Sequence, residues 1–335
     1  MRQYLRTLSN VYYNGRFSRA GHNDHAPTFS LFQDKLEFPM SEGYPLLTTK
    51  KIPFPLVFAE WKWIMSGSTD VRDLQALGAH FWDRWAPTEN DVKERGLPES
   101  YTGSIGPLYG EMLRRWPTQT PGVTVDQISY LFNSLKERPL SRRILSSTWN
   151  PALLPDEGVS PLDNVAAGKQ ALAPCHPFMQ FRTAPLLVHE RMNILYGTRM
   201  SQAEAAAMSD MEIIRMTERL DAGNVPKHNL DLWMYARSQD LPIGTPFNIA
   251  FYSLMLLVFA KQLNMVAGTY YHDMGDIHIY EGQMPFVPTQ LARVPKKLPQ
   301  LKIRDGVASI FDYTLEDFVL EGYHPDKHIP YPVYE

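Results

Sequence analysis

A single cysteine, Cys175, stands in the tripeptide Pro174-Cys175-His176 and is the only thiol in 335 residues. With no second sulfur, neither an intrachain disulfide nor a cysteine metal cluster can form, which leaves a small buried residue or a nucleophile. A thiol becomes a useful nucleophile when positive charge or hydrogen-bond donors stabilise its thiolate. His176 proves little by adjacency, because neighbours on a strand point to opposite faces. Ser141-Arg142-Arg143 offers fixed guanidinium donors that suit a phosphate, or else a solvated basic turn. Arg237-Ser238-Gln239-Asp240 can share a phosphate between its first two side chains. In Gly244-Thr245-Pro246-Phe247-Asn248 a carboxamide opens an apolar stretch, where it either bonds the helix start or reads a ligand edge with one donor and one acceptor. Strand alternation in Gly275-Asp276-Ile277-His278-Ile279-Tyr280 puts Asp276, His278 and Tyr280 on one face, lining a pocket or facing solvent.

Those groups must be positioned by the surrounding elements. Apolar spacing predicts helices over residues 55–66, 126–136 and 246–263. A longer one is expected over 201–220, with Ser201 as cap and Glu204 at the capping-box position. Strands are expected at 144–149, 178–182, 266–271 and 277–280, and residues 23–35 suggest a loop entering a strand. Residues 150–174, rich in Pro, Gly, Ala and Asp, predict a surface loop. Helices and strands mix without regular alternation, which points to the α+β class, and no linker divides the chain into two domains.

Composition narrows the function classes. Hydrophobic residues at 44% and aromatic residues at 12% allow a substantial core. A formal net charge of -3 argues against coating nucleic acid, although one local phosphate site remains compatible with it. No continuous apolar run approaches the roughly 20 residues of a membrane helix, and the N-terminus has no signal-peptide core. The expectation is a soluble cytoplasmic protein (host cytoplasm if the source is viral) with no nucleic-acid, membrane or metal partner.

Taken together, these blocks resemble one family. From Tyr44-Pro45-Leu46-Leu47-Thr48-Thr49-Lys50-Lys51 the chain is similar to the thymidylate synthases and their pyrimidine hydroxymethylase relatives. The likeness continues through Glu60, Phe81-Trp82-Asp83-Arg84-Trp85, Gly106-Pro107-Leu108-Tyr109-Gly110, Ser141-Arg142-Arg143 and Trp149-Asn150-Pro151. It takes in Ala173-Pro174-Cys175-His176 with Gln180-Phe181, then the Arg237, Asn248 and His278 groups, and ends at Leu320-Glu321-Gly322-Tyr323. The resemblance implies one thymidylate synthase-like domain over 1–335, with a mixed β-sheet packed by helices, an insertion at about 184–230, and a homodimer formed through the sheet.

By resemblance, Cys175 is the nucleophile that adds to C6 of a pyrimidine nucleoside monophosphate, Glu60 the general acid/base, and Tyr109 the tyrosine acting near C5. Arg237 and Ser238 would grip the phosphate, joined by Arg142 and Arg143 across the dimer and by Arg19. Arginines gathered around Cys175 would favour its thiolate. His278 and Tyr280 would hold the sugar 3′-hydroxyl. The co-substrate implied is 5,10-methylenetetrahydrofolate, met by Asp240, Trp82 and, at its tail, Lys50. Asn248 would match the N3–H donor and O4 acceptor of uracil, favouring dUMP over dCMP, since family readers of cytosine resemble this chain except for Asp there.

The chain also departs from ordinary thymidylate synthases. Glu111-Met112-Leu113 replaces Gln and Trp, Ala236 stands for Gln, Met274 for Gly, and Val333-Tyr334-Glu335 for an apolar end that excludes water. With the insertion, these differences tip the expectation to 5-hydroxymethylation of dUMP by water. Thymidylate synthesis and cytidylate hydroxymethylation are the enzymatic alternatives. A cysteine hydrolase leaves the arginines and Asn248 unexplained, and a noncatalytic nucleotide binder has no need of intact Cys175 and Glu60.

Overall fold

The computed structural model describes residues 1–19 and 26–334. Six strands form one mixed sheet: Arg16–Ser18 (β1), Thr28–Pro39 (β2), Leu145–Ser147 (β3), Phe178–Pro185 (β4), His228–Asp240 (β5) and Val266–Tyr280 (β6). Their order is β1-β2-β6-β5-β4-β3, with β5 and β6 parallel and every other neighbouring pair antiparallel. The helices that matter for the site are Arg2–Asn14 (α1), Phe54–Ser66 (α2), Tyr109–Arg114 (α3), Gln127–Glu137 (α4), Val188–Tyr196 (α5), Gln202–Ala206 (α6), Asp210–Ala222 (α7) and Gly244–Gln262 (α8). A mixed sheet packed with helices is the architecture the resemblance implies.

A parallel strand pair requires a crossover, and α8 is that crossover. Ile249, Phe251, Leu254, Met255, Val258 and Phe259 of α8 are all buried, so the helix is apolar because it is enclosed on most sides. Among the described residues α8 alone is long and apolar enough to cross a membrane, and 72% of its apolar window is buried inside the fold. It packs on β5, β6 and α2 as a core helix. On the sheet, alternation does the sorting: Leu230, Leu232, Met234 and Ala236 of β5 face α8 and are fully buried.

The other face is different. Register aligns Leu145, Gln180, Trp233 and Tyr271 across four strands, and Ser147, Phe178, Tyr235 and Asp273 in the next row. Leu145 and Phe178 in these rows are exposed, at 46% and 39%. Trp233 stacks on Tyr235 with ring centroids 6.4 Å apart.

Three local expectations are revised. The helix expected at 201–220 is two helices, α6 and α7, because Ser209 and Glu212 form a second capping box that restarts the chain. The strands expected at 266–271 and 277–280 are the single strand β6. A Cβ on Gly275 would lie 2.7 Å from the Tyr235 hydroxyl and 2.9 Å from the Arg237 carbonyl, so this glycine marks close strand approach, not a break. Within 150–174, Ser160 caps a helix, Pro161–Ala166, and Asn164 and Gln170 are buried, so the segment is not a simple surface loop. Helix α2 follows expectation: Pro55 sits in its first turn and Gly67, at φ +83°, ends it. The loop expected from residue 23 falls partly outside the described residues; the strand it was to enter is β2.

Candidate active site

Cys175 is half-buried in the loop leading into β4, and two hydrogen bonds pin its backbone. Its N–H donates to the Tyr109 hydroxyl at 2.7 Å, and its carbonyl accepts the Arg237 N–H at 2.7 Å. Tyr109 opens α3 and is buried, so a helix start and strand β5 hold the thiol between them. The Arg237 guanidinium curls behind the loop, donating through Nε to the Pro174 carbonyl and through Nη2 to the Ala173 carbonyl, both at 2.8 Å. It also lies over the Trp149 ring, 5.6 Å from the centroid.

The arginine cluster expected around the thiol is not what the single chain provides. Burial pushes the Cys175 thiol up; Arg237 opposes this, and Asp240 adds to it. Arg142 and Arg143 are exposed in the turn before β3, and among the described residues their guanidinium groups have no partner. Arg19 is exposed at the edge of the segment that is not described.

A neutral aromatic and polar string runs inward from Cys175. The His176 ring stacks on Tyr109 at 4.2 Å with only 5° between planes, and its Nδ1 bonds the Tyr252 hydroxyl at 2.6 Å. Burial brings His176 down to about 3, with Arg237 adding, so the imidazole is neutral and is not a cationic partner for the thiolate. Tyr252 stacks on Tyr270, whose hydroxyl bonds His272 Nδ1 at 2.7 Å; His272 Nε2 meets Gln239 Oε1 at 3.1 Å. That amide oxygen only accepts, so the His272 proton is on Nε2 and Tyr270 donates to Nδ1. The Thr245 hydroxyl donates to the same oxygen at 2.9 Å, tying β6 and β5 to the first turn of α8.

Glu60, on α2, is 9% exposed and accepts the Trp82 indole N–H at 2.8 Å. Burial pushes its carboxyl up to about 7, against the opposing effect of Trp82. A carboxyl titrating near neutrality can both give and take a proton at physiological pH. Trp82, expected as a folate contact, has its N–H committed to Glu60, so only its ring is left for a ligand.

The residues expected to read the ligand lie on the end of β5, the start of α8 and the end of β6. Asn248, in the second turn of α8, is half-buried, and its carboxamide has no hydrogen bond among the described residues. Asp240 accepts the Ile243 N–H and a Gln283 N–H, both at 3.1 Å, and burial raises its pKa. A carboxylate has about four acceptor positions, so capacity remains for ligand N–H groups. His278 and Tyr280 do share a face with Asp276, as alternation requires: His278 Nδ1 bonds Asp276 at 2.8 Å, and the His278 and Tyr280 rings are 5.1 Å apart.

Lys50 is the plainest correction. At 3% exposure it does not reach outward to a ligand tail; its ammonium bonds the Pro242 carbonyl and lies 5.2 Å from the centre of the Tyr331 ring. Burial lowers its pKa to about 8, and Asp240 opposes the shift. Tyr252, Gln239 and Gln283 were missed from sequence. Tyr252 alone carried a signal, since it lies four residues after Asn248 and so one turn along the same helix face.

A sequence profile of the family described as thymidylate synthase matches residues 2–335. The thymidylate synthase of Pseudomonas fluorescens (strain SBW25) is 35% identical over 329 residues, covering 98% of each chain. That of Francisella philomiragia subsp. philomiragia is 35% identical over 330 residues, covering 98% of this chain and 97% of the relative. Match over both whole lengths, on an architecture that brings Cys175 and Arg237 together, leads to one conclusion: the chain belongs to the thymidylate synthase family of one-carbon transferases.

Proposed function

We propose that the protein converts dUMP to dTMP, with Cys175 as the transient nucleophile. The thiol adds to C6 of the ring, forming a carbon–sulfur bond, and the displaced electron pair moves to C5 and O4, which makes C5 nucleophilic. Glu60 manages the proton at O4, and Tyr109 stands by for removal of the C5 proton. 5,10-Methylenetetrahydrofolate supplies the one-carbon unit and, for methylation, the hydride. Spare acceptor positions on Asp240 suit the N–H edge of its ring system; Lys50 does not fit its tail. Elimination of Cys175 from C6 then restores the thiol and the aromatic ring. Phosphate is held by Arg237 and Ser238. Arg142 and Arg143 of a second copy complete that grip, with the aromatic rows of the outer sheet face as the dimer contact.

Methylation, not hydroxymethylation, is the product choice, and the carrying observation is the full-length match to two proteins named thymidylate synthase. It includes the 184–230 insertion, which is therefore no mark of a different reaction. Two other departures have a packing reason. Ala236 and Met274 are register partners on β5 and β6 and both are 0% exposed, so a small side chain on one strand makes room for a large one on the other. Met112 and Leu113 are likewise buried. The final residue, Glu335, lies outside the described residues.

Purified protein with dUMP and methylenetetrahydrofolate should yield one dihydrofolate per dTMP. An oxygenated nucleotide without dihydrofolate would return the hydroxymethyl reading. Cys175→Ala should abolish both turnover and release of tritium from C5 of dUMP; a variant as fast as the parent would refute the covalent route.

A further inference from the structure

The last residues of the chain are fastened to the site by one buried side chain. Gln283 is 0% exposed and sits just past β6. Its Nε2 donates to Asp240 Oδ2 and to the Pro332 carbonyl, each at 3.1 Å, and its Oε1 accepts the Tyr280 N–H at 3.0 Å. Flipping this amide would set its oxygen against the carboxylate and the Pro332 carbonyl, and its N–H groups against the Tyr280 N–H. Every contact would turn repulsive, so the orientation is fixed.

The neighbouring segment is cut to fit. Tyr334 stacks on Tyr280 with centroids 4.9 Å apart and 29° between planes. A Cβ on Gly282 would fall 1.8 Å from the Tyr334 hydroxyl, so any larger residue would push that hydroxyl out of the notch in which it sits. Tyr331 donates to Gln290 at 2.8 Å, and Arg84 reaches the Val333 carbonyl at 3.4 Å.

We propose that Gln283 is a positioning residue that couples the seating of the C-terminal segment, with Tyr334 in the Gly282 notch, to the orientation of the Asp240 carboxylate. A ligand that engages Asp240 then stabilises the seated tail through the same amide, and an unseated tail loosens the ligand site. The coupling rests on the reading of Asp240 as a folate contact; the seating of the tail does not.

Two single variants, one double variant and two readouts test it. Gln283→Met keeps the length and removes the amide, whereas Gly282→Ala fills the notch from the other side. Carboxypeptidase release of Val333 and Tyr334 from the unliganded protein reads tail seating without any chemistry. Both variants should speed release about tenfold, the loss expected of one hydrogen-bonded contact. Unchanged release in both would overturn the clasp. In kinetics, Gln283→Met should raise KM for methylenetetrahydrofolate about tenfold and KM for dUMP less than about twofold. Adding Tyr334→Ala to Gln283→Met should change folate KM less than about twofold further, because coupled contacts are lost together. Equal rises in both KM values, or effects that multiply, would overturn the coupling. A parent protein that makes no dTMP would sink the proposed reaction and still leave the release assay to judge the clasp.

Discussion

The surroundings of Cys175 and those of Asn248, Arg142 and Arg143 are built on opposite rules. Around Cys175, Tyr109, His176, Tyr252, Glu60 and Trp82 bond or stack on one another, and Arg237 gives two of its five N–H donors to backbone carbonyls. By contrast, the side chains of Asn248, Arg142 and Arg143 have no partner among the described residues. Buried polar groups are normally satisfied, so a half-buried amide without a partner in the fold is open to water or to a bound molecule. The fold ties the groups around Cys175 to one another and leaves the side chains of Asn248, Arg142 and Arg143 unengaged among the described residues.

This contrast can be broken. If Asn248 serves only the ligand, Asn248→Asp should cut kcat/KM for dUMP about a thousandfold and raise the dCMP to dUMP ratio. Unfolding free energy should stay within about 0.5 kcal/mol of the parent. A large stability loss with unchanged base preference would place Asn248 among the structural residues instead. Next in size is a test of the second copy. The double variant Arg142→Ala, Arg143→Ala should lose about a hundredfold in activity and recover it when mixed and refolded with Cys175→Ala chains. No recovery would mean that each arginine pair serves its own site.

The partnered region should respond in stability as well as rate. Glu60 is raised from its ordinary value to about 7, so between roughly pH 4.5 and 7 the folded chain binds a proton that the unfolded chain has lost. Folding stability contributed by the protonated carboxyl therefore falls as pH rises through that window. Glu60→Gln removes this slope, and the stability difference between variant and parent should shift by about 3 kcal/mol from pH 4 to pH 8 in the variant's favour. Parallel denaturation curves at the two pH values would contradict it. Smallest of all, Tyr252→Phe should cost about 1 kcal/mol and a few-fold in kcat by releasing His176, with KM for dUMP unchanged.

Part of the arrangement was legible in sequence: strand alternation put Asp276, His278 and Tyr280 on one face, and the family motifs named Cys175 and Arg237, whose backbones are hydrogen-bonded. What failed depended on partners far along the chain. Lys50 looked like an outward lysine until Pro242 and Tyr331 enclosed it, and the thiol looked cation-stabilised until burial outweighed the single nearby guanidinium. Elements were found where periodicity was long, as in α2 and α8, and misjudged where a second capping box cut α6 from α7. Side-chain amides such as Gln239 and Gln283 gave no signal, since their bonding is decided wholly by the fold.

The order of strands has a consequence for the making of the molecule. β2, near the start of the chain, pairs on its long side with β6, near the end, as in Thr28 with Tyr280 and Phe38 with Tyr270. A ribosome releases β2 long before its neighbour exists, so an edge of unpaired N–H and C=O groups must wait, unzipped, through most of translation. Closing so wide a loop is entropically slow, and an unpaired edge is a surface on which other nascent chains can add. The strand that finishes the sheet also carries His278 and Tyr280, so the moment the protein stops being vulnerable is also the moment those two side chains join the candidate site.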